Sequence, residues 1–94
     1  MMLIRWSESA DADMAGILAY FASNAEETIG KKIIAQLLRS TRRLESNPLS
    51  GRPGRVKGTR EIVIRTVPYI IVCELPEKGV AEVIRVIHTS RLWP

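Results

Sequence analysis

Apolar residues follow a helical spacing in the first half of the chain and form short strand-like runs in the second half. The run Leu3–Trp6 predicts a first strand, and Ser7 behind it can cap a helix. The following apolar residues recur three and four positions apart, which predicts one buried stripe formed by Met14, Ile17, Leu18 and Phe21. Three acids lie early in this helix, where its dipole favours negative charge: Glu8, Asp11 and Asp13.

A second amphipathic helix is predicted from about Ala25 to Glu45. Asn24 followed three positions later by Glu27 indicates a capping-box variant at its start, and Pro48 ends the helical region. Its apolar face comprises Ile29, Ile33, Leu37 and Leu44, widened by Ile34 and Leu38. Because the link between the two helices is short, they should form an antiparallel hairpin.

Three strands are predicted after the helices, at Glu61–Arg65, Tyr69–Leu75 and Val80–His88. Their short connections favour an antiparallel meander. With the first strand, the order becomes β-α-α-β-β-β. We therefore expect one α+β domain over residues 1–94, in which an N-terminal helical hairpin packs on a small twisted, mainly antiparallel sheet.

A basic segment, Gly51–Arg60, separates the helical half from the strand half. It holds four cationic side chains, three glycines, one proline and no acid. Unpaired buried charge is too costly for a core, so this segment is expected to be a solvated loop, either without a partner or contacting an acidic one. The net charge of +4 favours an anionic partner. The candidate partner-binding residues are Arg52, Arg55, Lys57 and Arg60, with Arg42 and Arg43 from the second helix.

The candidate catalytic residues lie at or near the ends of the predicted strands. His88 and Arg91 close the last strand, and Arg65 ends the strand that Glu61 opens. In a meander these ends can converge on one edge. An acid, a histidine and arginines are sufficient for RNA cleavage by the 2′-hydroxyl, which needs proton transfer and cations on the phosphorane. Alternatively, His88 simply terminates a strand and hydrogen-bonds locally.

Several classes of protein are excluded by composition. The single cysteine, Cys73, allows no internal disulfide and lies in an apolar run, where a buried thiol is expected. One cysteine and one histidine cannot build a zinc site, and no motif indicates a metal or cofactor. No apolar stretch approaches the ~20 residues of a membrane span, and the N-terminus lacks a signal-peptide core. We therefore expect a cytoplasmic protein.

Three segments carry a resemblance to a known family: "NPLSGRPGRVKGTREIVI", "PYIIVCEL" and "VIRVIHTSRLWP". With the predicted element order, they resemble the RelE/ParE superfamily of bacterial type II toxins along nearly the whole chain. The resemblance implies the β-α-α-β-β-β fold, growth arrest of the host cell and a cognate antitoxin protein as partner.

The superfamily has two branches with different targets. ParE-like toxins inhibit DNA gyrase without nuclease activity, whereas toxins similar to RelE and YoeB cut mRNA on the ribosome. Ile70 stands where RelE-like toxins carry a catalytic arginine, and no tyrosine follows Tyr69. The resemblance therefore favours a ParE-like gyrase inhibitor with no catalytic residue. The alternatives are a ribosome-dependent mRNA endonuclease and a non-toxic member that only binds its antitoxin. The endonuclease would use Glu61, Arg65, His88 and Arg91.

Overall fold

The computed structural model describes residues 2–91, Trp93 and Pro94. Met1 and Leu92 belong to the expected domain but lie outside the described residues. Leu92 is also part of the C-terminal motif "VIRVIHTSRLWP". The elements, in chain order, are β1 Leu3–Trp6, α1 Glu8–Ser23, α2 Glu27–Thr41, α3 Arg43–Ser46, β2 Arg52–Pro53, β3 Thr59–Val63, β4 Tyr69–Glu77 and β5 Val80–His88.

These strands form one five-stranded sheet in the order β1-β5-β4-β3-β2. β1 runs parallel to β5, and the other pairs are antiparallel. The predicted α+β class and the order β-α-α-β-β-β are confirmed. The sequence pattern missed β2, a two-residue strand inside the expected basic loop. No helix among the described residues is long and apolar enough to cross a membrane.

The start of α1 follows the prediction. The Ser7 hydroxyl accepts a hydrogen bond from the Ala10 amide at 3.0 Å, so it caps the helix. The same hydroxyl donates to the Ile84 carbonyl at 2.9 Å, which ties the helix start to β5. Ser7 therefore fixes the angle at which α1 leaves the sheet.

The predicted cap of α2 is wrong, because Asn24 ends α1 instead. The Ala25 amide donates to Ala22 O at 3.1 Å, and the Glu26 amide donates to Phe21 O at 2.7 Å. This pair of bonds is a Schellman motif, with Ala25 at φ 57° in the left-handed position that glycine usually occupies. Glu26 precedes α2 without a side-chain cap. An asparagine suits both the end of one helix and the start of the next. In the structure, Asn24 ends α1.

The core lies between the helices and one face of the sheet, here called the helix side. Its fully buried members include Leu37 and Leu44, with Ile71 and Val83 from the sheet. Three residues assigned to the apolar helix faces are instead exposed by 39–46%: Leu18, Ile29 and Leu38. The predicted stripes were too wide, because a helix lying on a single sheet buries only the side that faces it.

α2 is also shorter than predicted, because it ends at Thr41. After Arg42 the chain continues as the separate single turn α3, which buries Leu44 and contacts β1. The Met2 amide donates to the Glu45 carbonyl at 3.0 Å. α3 therefore lies at the β1 edge of the sheet.

The α1–α2 hairpin depends on Gly30, because a Cβ there would lie 2.9 Å from the Phe21 Cβ. That neighbour is too close to its backbone to move away. Overpacking of this kind costs about 1–3 kcal/mol, and the better helix propensity of alanine returns about 1 kcal/mol. We expect Gly30→Ala to lower the free energy of unfolding by about 1 kcal/mol, measured by urea denaturation.

The matched control is Gly16→Ala in α1, where an added Cβ meets no atom within 4 Å. Helix propensity alone should then raise stability by about 1 kcal/mol. If both variants shift stability in the same direction, the close approach at Gly30 is not the limiting contact of the hairpin.

Candidate functional site

The basic segment is anchored to the sheet edge. Arg52 pairs with Glu61 in the β2–β3 ladder, and Pro53 pairs with Arg60. Gly51 has φ 90°, and a Cβ there would lie 2.6 Å from the Glu61 carbonyl oxygen. Only glycine suits this position. The segment predicted as a solvated loop is therefore a short strand followed by a tight turn.

Glu61 holds this segment in place. Its carboxylate is 4% exposed. Oε1 accepts from Arg52 Nε at 3.1 Å and from Nη2 at 3.0 Å, and Oε2 accepts from the Arg55 amide at 3.1 Å. One buried acid thus satisfies a guanidinium and a backbone amide of the basic segment. Arg52 is correspondingly not a free charge, although 58% of its side chain is exposed.

The sheet face opposite the helices, here called the helix-free face, forms a shallow basic cavity of about 60 Å³. Val72 and Ile87 lie in its floor and are buried, although both lie outside the helix-side core. Arg55 Nη1 donates to the Trp93 carbonyl at 3.3 Å. This bond joins the basic segment to the residues that follow β5, here called the C-terminal segment. Arg91 also lines this cavity. The C-terminal segment and the basic segment therefore frame the helix-free face together.

The candidate partner-binding residues do not form one surface. Arg55 and Lys57 are exposed beside the helix-free face or on the turn that follows it. Arg60 pairs with Cys73 of the core, so strand alternation places it on the helix side. Arg42 and Arg43 are exposed at the start of α3, at the β1 edge. The cations thus occupy three separate places.

The residues of the nuclease alternative are divided between the two faces. Glu61 pairs with Val72, and His88 pairs with Tyr69. Residues opposite each other in antiparallel strands share a face, and Tyr69 and Val72 are three positions apart on β4, which puts them on opposite faces. Glu61 therefore lies on the helix-free face and His88 on the helix side.

The expected convergence of strand ends does occur. The Thr89 amide donates to the Pro68 carbonyl at 2.8 Å, so the β3–β4 turn lies beside the end of β5. Arg65 is exposed in that turn, beyond β3, and Arg91 is exposed after β5. The two arginines thus belong to the same end of the sheet, but Glu61 and His88 do not share a face there.

His88 makes local contacts. Its ring stands edge-on to Tyr69, with 5.2 Å between the centroids. The Ser90 amide donates to His88 Nδ1 at 3.0 Å, and the Ser90 hydroxyl lies 2.7 Å from the same atom. Burial raises the pKa of the Tyr69 phenol and Tyr20 adds to this, whereas Arg91 lowers it. These contacts match a histidine that closes a strand.

Sequence reasoning missed the contacts of Asp13 and of Trp93. Asp13 was assigned to the helix dipole, but its carboxylate bonds Arg85 and the Val86 amide of β5. The Arg85 guanidinium also lies 5.9 Å from the centre of the Trp93 ring. No short-range pattern marks either contact, because each joins residues far apart in the chain. Within residues 2–91, 93 and 94, no three His, Cys, Asp or Glu side chains group as a metal site.

Comparison with known proteins decides the family. Residues 4–93 match the profile of the family described as "ParE toxin of type II toxin-antitoxin system, parDE". The chain belongs to this ParE toxin family. The expected resemblance to the RelE/ParE superfamily is thereby confirmed. As a ParE-type toxin of a type II toxin–antitoxin system, it has a cognate antitoxin as its implied partner.

Two relatives agree with the family. A protein of Sinorhizobium fredii (strain NBRC 101917 / NGR234), named "Putative toxin Y4kP", is 33% identical over 91 residues, or 97% of this chain and 92% of that protein. A solved chain from "Chromosomal ParDE TA system from P. aeruginosa" superposes with a TM-score of 0.82 at 20% identity. The match covers 94% of this chain and 96% of that one. The second likeness shows that the two chains share the ParE fold.

Proposed function

We propose that this ParE-family toxin inhibits DNA gyrase by binding it, without catalysis, and that its cognate antitoxin neutralises it in the cytoplasm. The observation that carries the proposal is the separation of Glu61 from His88 by the sheet. General acid–base catalysis needs both groups within hydrogen-bond reach of one substrate. Glu61 is moreover engaged by Arg52 and Arg55. The ParE resemblance supports gyrase as the target.

The proposed contact surface is the exposed part of the basic segment. Arg55 and Lys57 project from a turn that Glu61 anchors through the Arg55 amide, and Arg52 flanks them. An anchored cationic surface loses less entropy on binding an acidic protein or a DNA backbone than a free loop does, and its charge accelerates encounter. Arg42 and Arg43 would contact an acidic partner at a separate place, beside α3.

The experiment that separates gyrase from mRNA runs two assays side by side on the wild type and on His88→Ala. We expect both proteins to inhibit plasmid supercoiling by gyrase at similar concentrations. Neither should cut mRNA on programmed ribosomes, since His88 packs on Tyr69 and accepts a hydrogen bond from the Ser90 amide. Position-specific mRNA cuts by the wild type that vanish in His88→Ala would overturn the proposal and establish the endonuclease.

Charge reversal tests the contact surface. Arg55→Glu with Lys57→Glu leaves the Glu61–Arg52 ion pair intact, because Arg55 meets Glu61 only through its backbone amide. We expect gyrase inhibition to need at least about tenfold more protein, with weaker dependence on salt. The matched control is Lys31→Glu with Lys32→Glu, an equal charge change on the exposed part of α2. Equal inhibition by both double variants would exclude the basic segment as the contact.

The antitoxin is proposed to bind the helical hairpin as well as charged residues. Leu18, Ile29 and Leu38 are apolar, exposed and carried by α1 and α2. Disordered acidic segments fold onto surfaces of this kind, and their apolar anchors supply much of the affinity. A short reading frame next to the toxin gene should encode the antitoxin. The hypothesis fails if its product does not bind the purified toxin.

A further inference from the structure

A cleft of about 330 Å³ opens between the α3–β2 connection and the adjacent ends of β3 and β4. Pro48 and Leu49 of the connection form one wall, and Arg60 and Leu75 of the sheet contribute to the other. This volume lies at the lower limit of pockets that hold small ligands, so it can accept one or two side chains of a partner. No role assigned above uses it.

Strand register defines the side chains that face the cleft. Arg60 pairs with Cys73 of the core, so its side chain belongs to the helix side. Leu75 lines the same cleft. Thr59 pairs with Glu74, which assigns the Glu74 carboxylate to the helix-free face. Thr59 and Glu74 contribute to the lining, and the remaining walls are apolar apart from Arg60, the one cation that lines the cleft.

The apolar walls are exposed to water. Leu49 is 59% exposed and Leu75 is 41% exposed. Exposed leucines on both sides of one concave surface are typical of a place where an apolar side chain docks. The burial of such a side chain would remove apolar area from water on both walls.

Arg60 has an unused donor. Its Nη2 donates to the Gly51 carbonyl at 2.8 Å, whereas its buried Nε has no hydrogen-bond partner among residues 2–91, 93 and 94. A buried N–H without an acceptor costs free energy, and a carboxylate is the strongest acceptor for a guanidinium. The cleft therefore combines an apolar volume with a guanidinium that forms no ion pair among the described residues.

We propose that this cleft docks a segment of the cognate antitoxin, which inserts an apolar side chain between Leu49 and Leu75 and places a carboxylate on Arg60. The inference rests on the proposed neutralisation by an antitoxin and adds the place and the chemistry of the contact. Charge complementarity favours this occupant, because a toxin with a net charge of +4, whose Arg60 has no carboxylate partner among the described residues, attracts an acidic segment. Arg60 lies on the same side of the sheet as the hairpin, whereas Arg55 lines the cavity of the helix-free face. Pro53 and Gly58 of the basic segment also line the cleft, so the two proposed surfaces adjoin.

The test uses overlapping, C-terminally amidated peptides that cover the protein encoded by the neighbouring reading frame. Binding to the full-length toxin is measured by fluorescence anisotropy. Arg60→Met keeps the aliphatic stem and removes the charge, and we expect it to weaken the acidic peptide about 10- to 100-fold. Leu49→Ser should weaken the same peptide without touching Arg60. Arg65→Met, an exposed arginine in the β3–β4 turn at the other end of the sheet, is the matched control and should bind like the wild type.

A double-mutant cycle keeps the result specific. Glu→Gln or Asp→Asn in the bound peptide should cost affinity with the wild type and little with Arg60→Met, since the two changes remove one contact. The docking proposal would be overturned if the losses of peptide affinity were additive, or if Arg60→Met and Leu49→Ser bound the peptide as the wild type does. If neither the peptides nor the whole neighbouring protein bind the wild type, the antitoxin proposal fails with it. Gyrase plays no part in this measurement, so the target proposal is judged separately.

Discussion

Replacing Asp13 by alanine should lower the free energy of unfolding by about 2–3 kcal/mol, because three donors lose their acceptor at once. Asp13 Oδ2 accepts from Arg85 Nε and from the Val86 amide, each at 2.8 Å, and Oδ1 accepts from Arg85 Nη2 at 3.0 Å. β1 pairs with β5 only as far as Val83, and the Ser7 hydroxyl bonds the Ile84 carbonyl, so the outer edge of β5 has no strand partner from Ile84 onward. Asp13 closes this edge from α1.

Chemical denaturation of Asp13→Ala beside Asp11→Ala measures this effect. Asp11 is exposed in the first turn of α1, and its favourable interaction with the helix dipole should contribute at most about 1 kcal/mol. Hydrogen exchange adds a local check, since the Val86 amide should lose protection in Asp13→Ala alone. Equal stability of the two variants would show that the charge near the helix start, rather than the link to β5, matters at this position.

The contrast between these two acids explains what sequence reasoning could reach. Element type was predictable because helical spacing and apolar runs are local properties of the chain. Asp11 and Asp13 look alike at that level, and both suit a helix start. Only the packing of α1 against β5 gives Asp13 its partners, and a contact across more than seventy positions leaves no local pattern.

The candidate site was predictable in part for the same reason. The basic segment and the strand-end arginines are visible as composition, and the meander brings Arg65 and Arg91 to one end of the sheet. The face that each residue occupies depends on register, and a single position of shift reverses it. That is why Glu61 and His88 could be grouped from the sequence, although the pairs Glu61↔Val72 and Tyr69↔His88 place them on opposite faces.

Glu61→Ala should have an effect as large as Asp13→Ala, and it connects stability to the proposed function. Loss of the carboxylate leaves the Arg52 guanidinium without its ion pair and the Arg55 amide without an acceptor. We expect the free energy of unfolding to fall by about 2–3 kcal/mol. The Arg55 amide should exchange much faster, while amides in the β4–β5 ladder follow only the global change. Gyrase inhibition should weaken because the basic segment must then be ordered at binding.

The control is Glu74→Ala on the same face, since Glu74 takes part in none of the ion pairs of the described residues. Glu61→Gln adds a second comparison, because its amide oxygen can still accept from Arg55 but no longer neutralises Arg52. Gyrase inhibition should therefore decrease from the wild type to Glu61→Gln and again to Glu61→Ala. The protection of the Arg55 amide against hydrogen exchange should decrease in the same order. A catalytic acid would behave differently: Glu61→Gln would abolish activity while stability and exchange stayed near wild type. That outcome would support a catalytic role for Glu61 in an endonuclease and contradict its role as the anchor of the basic segment.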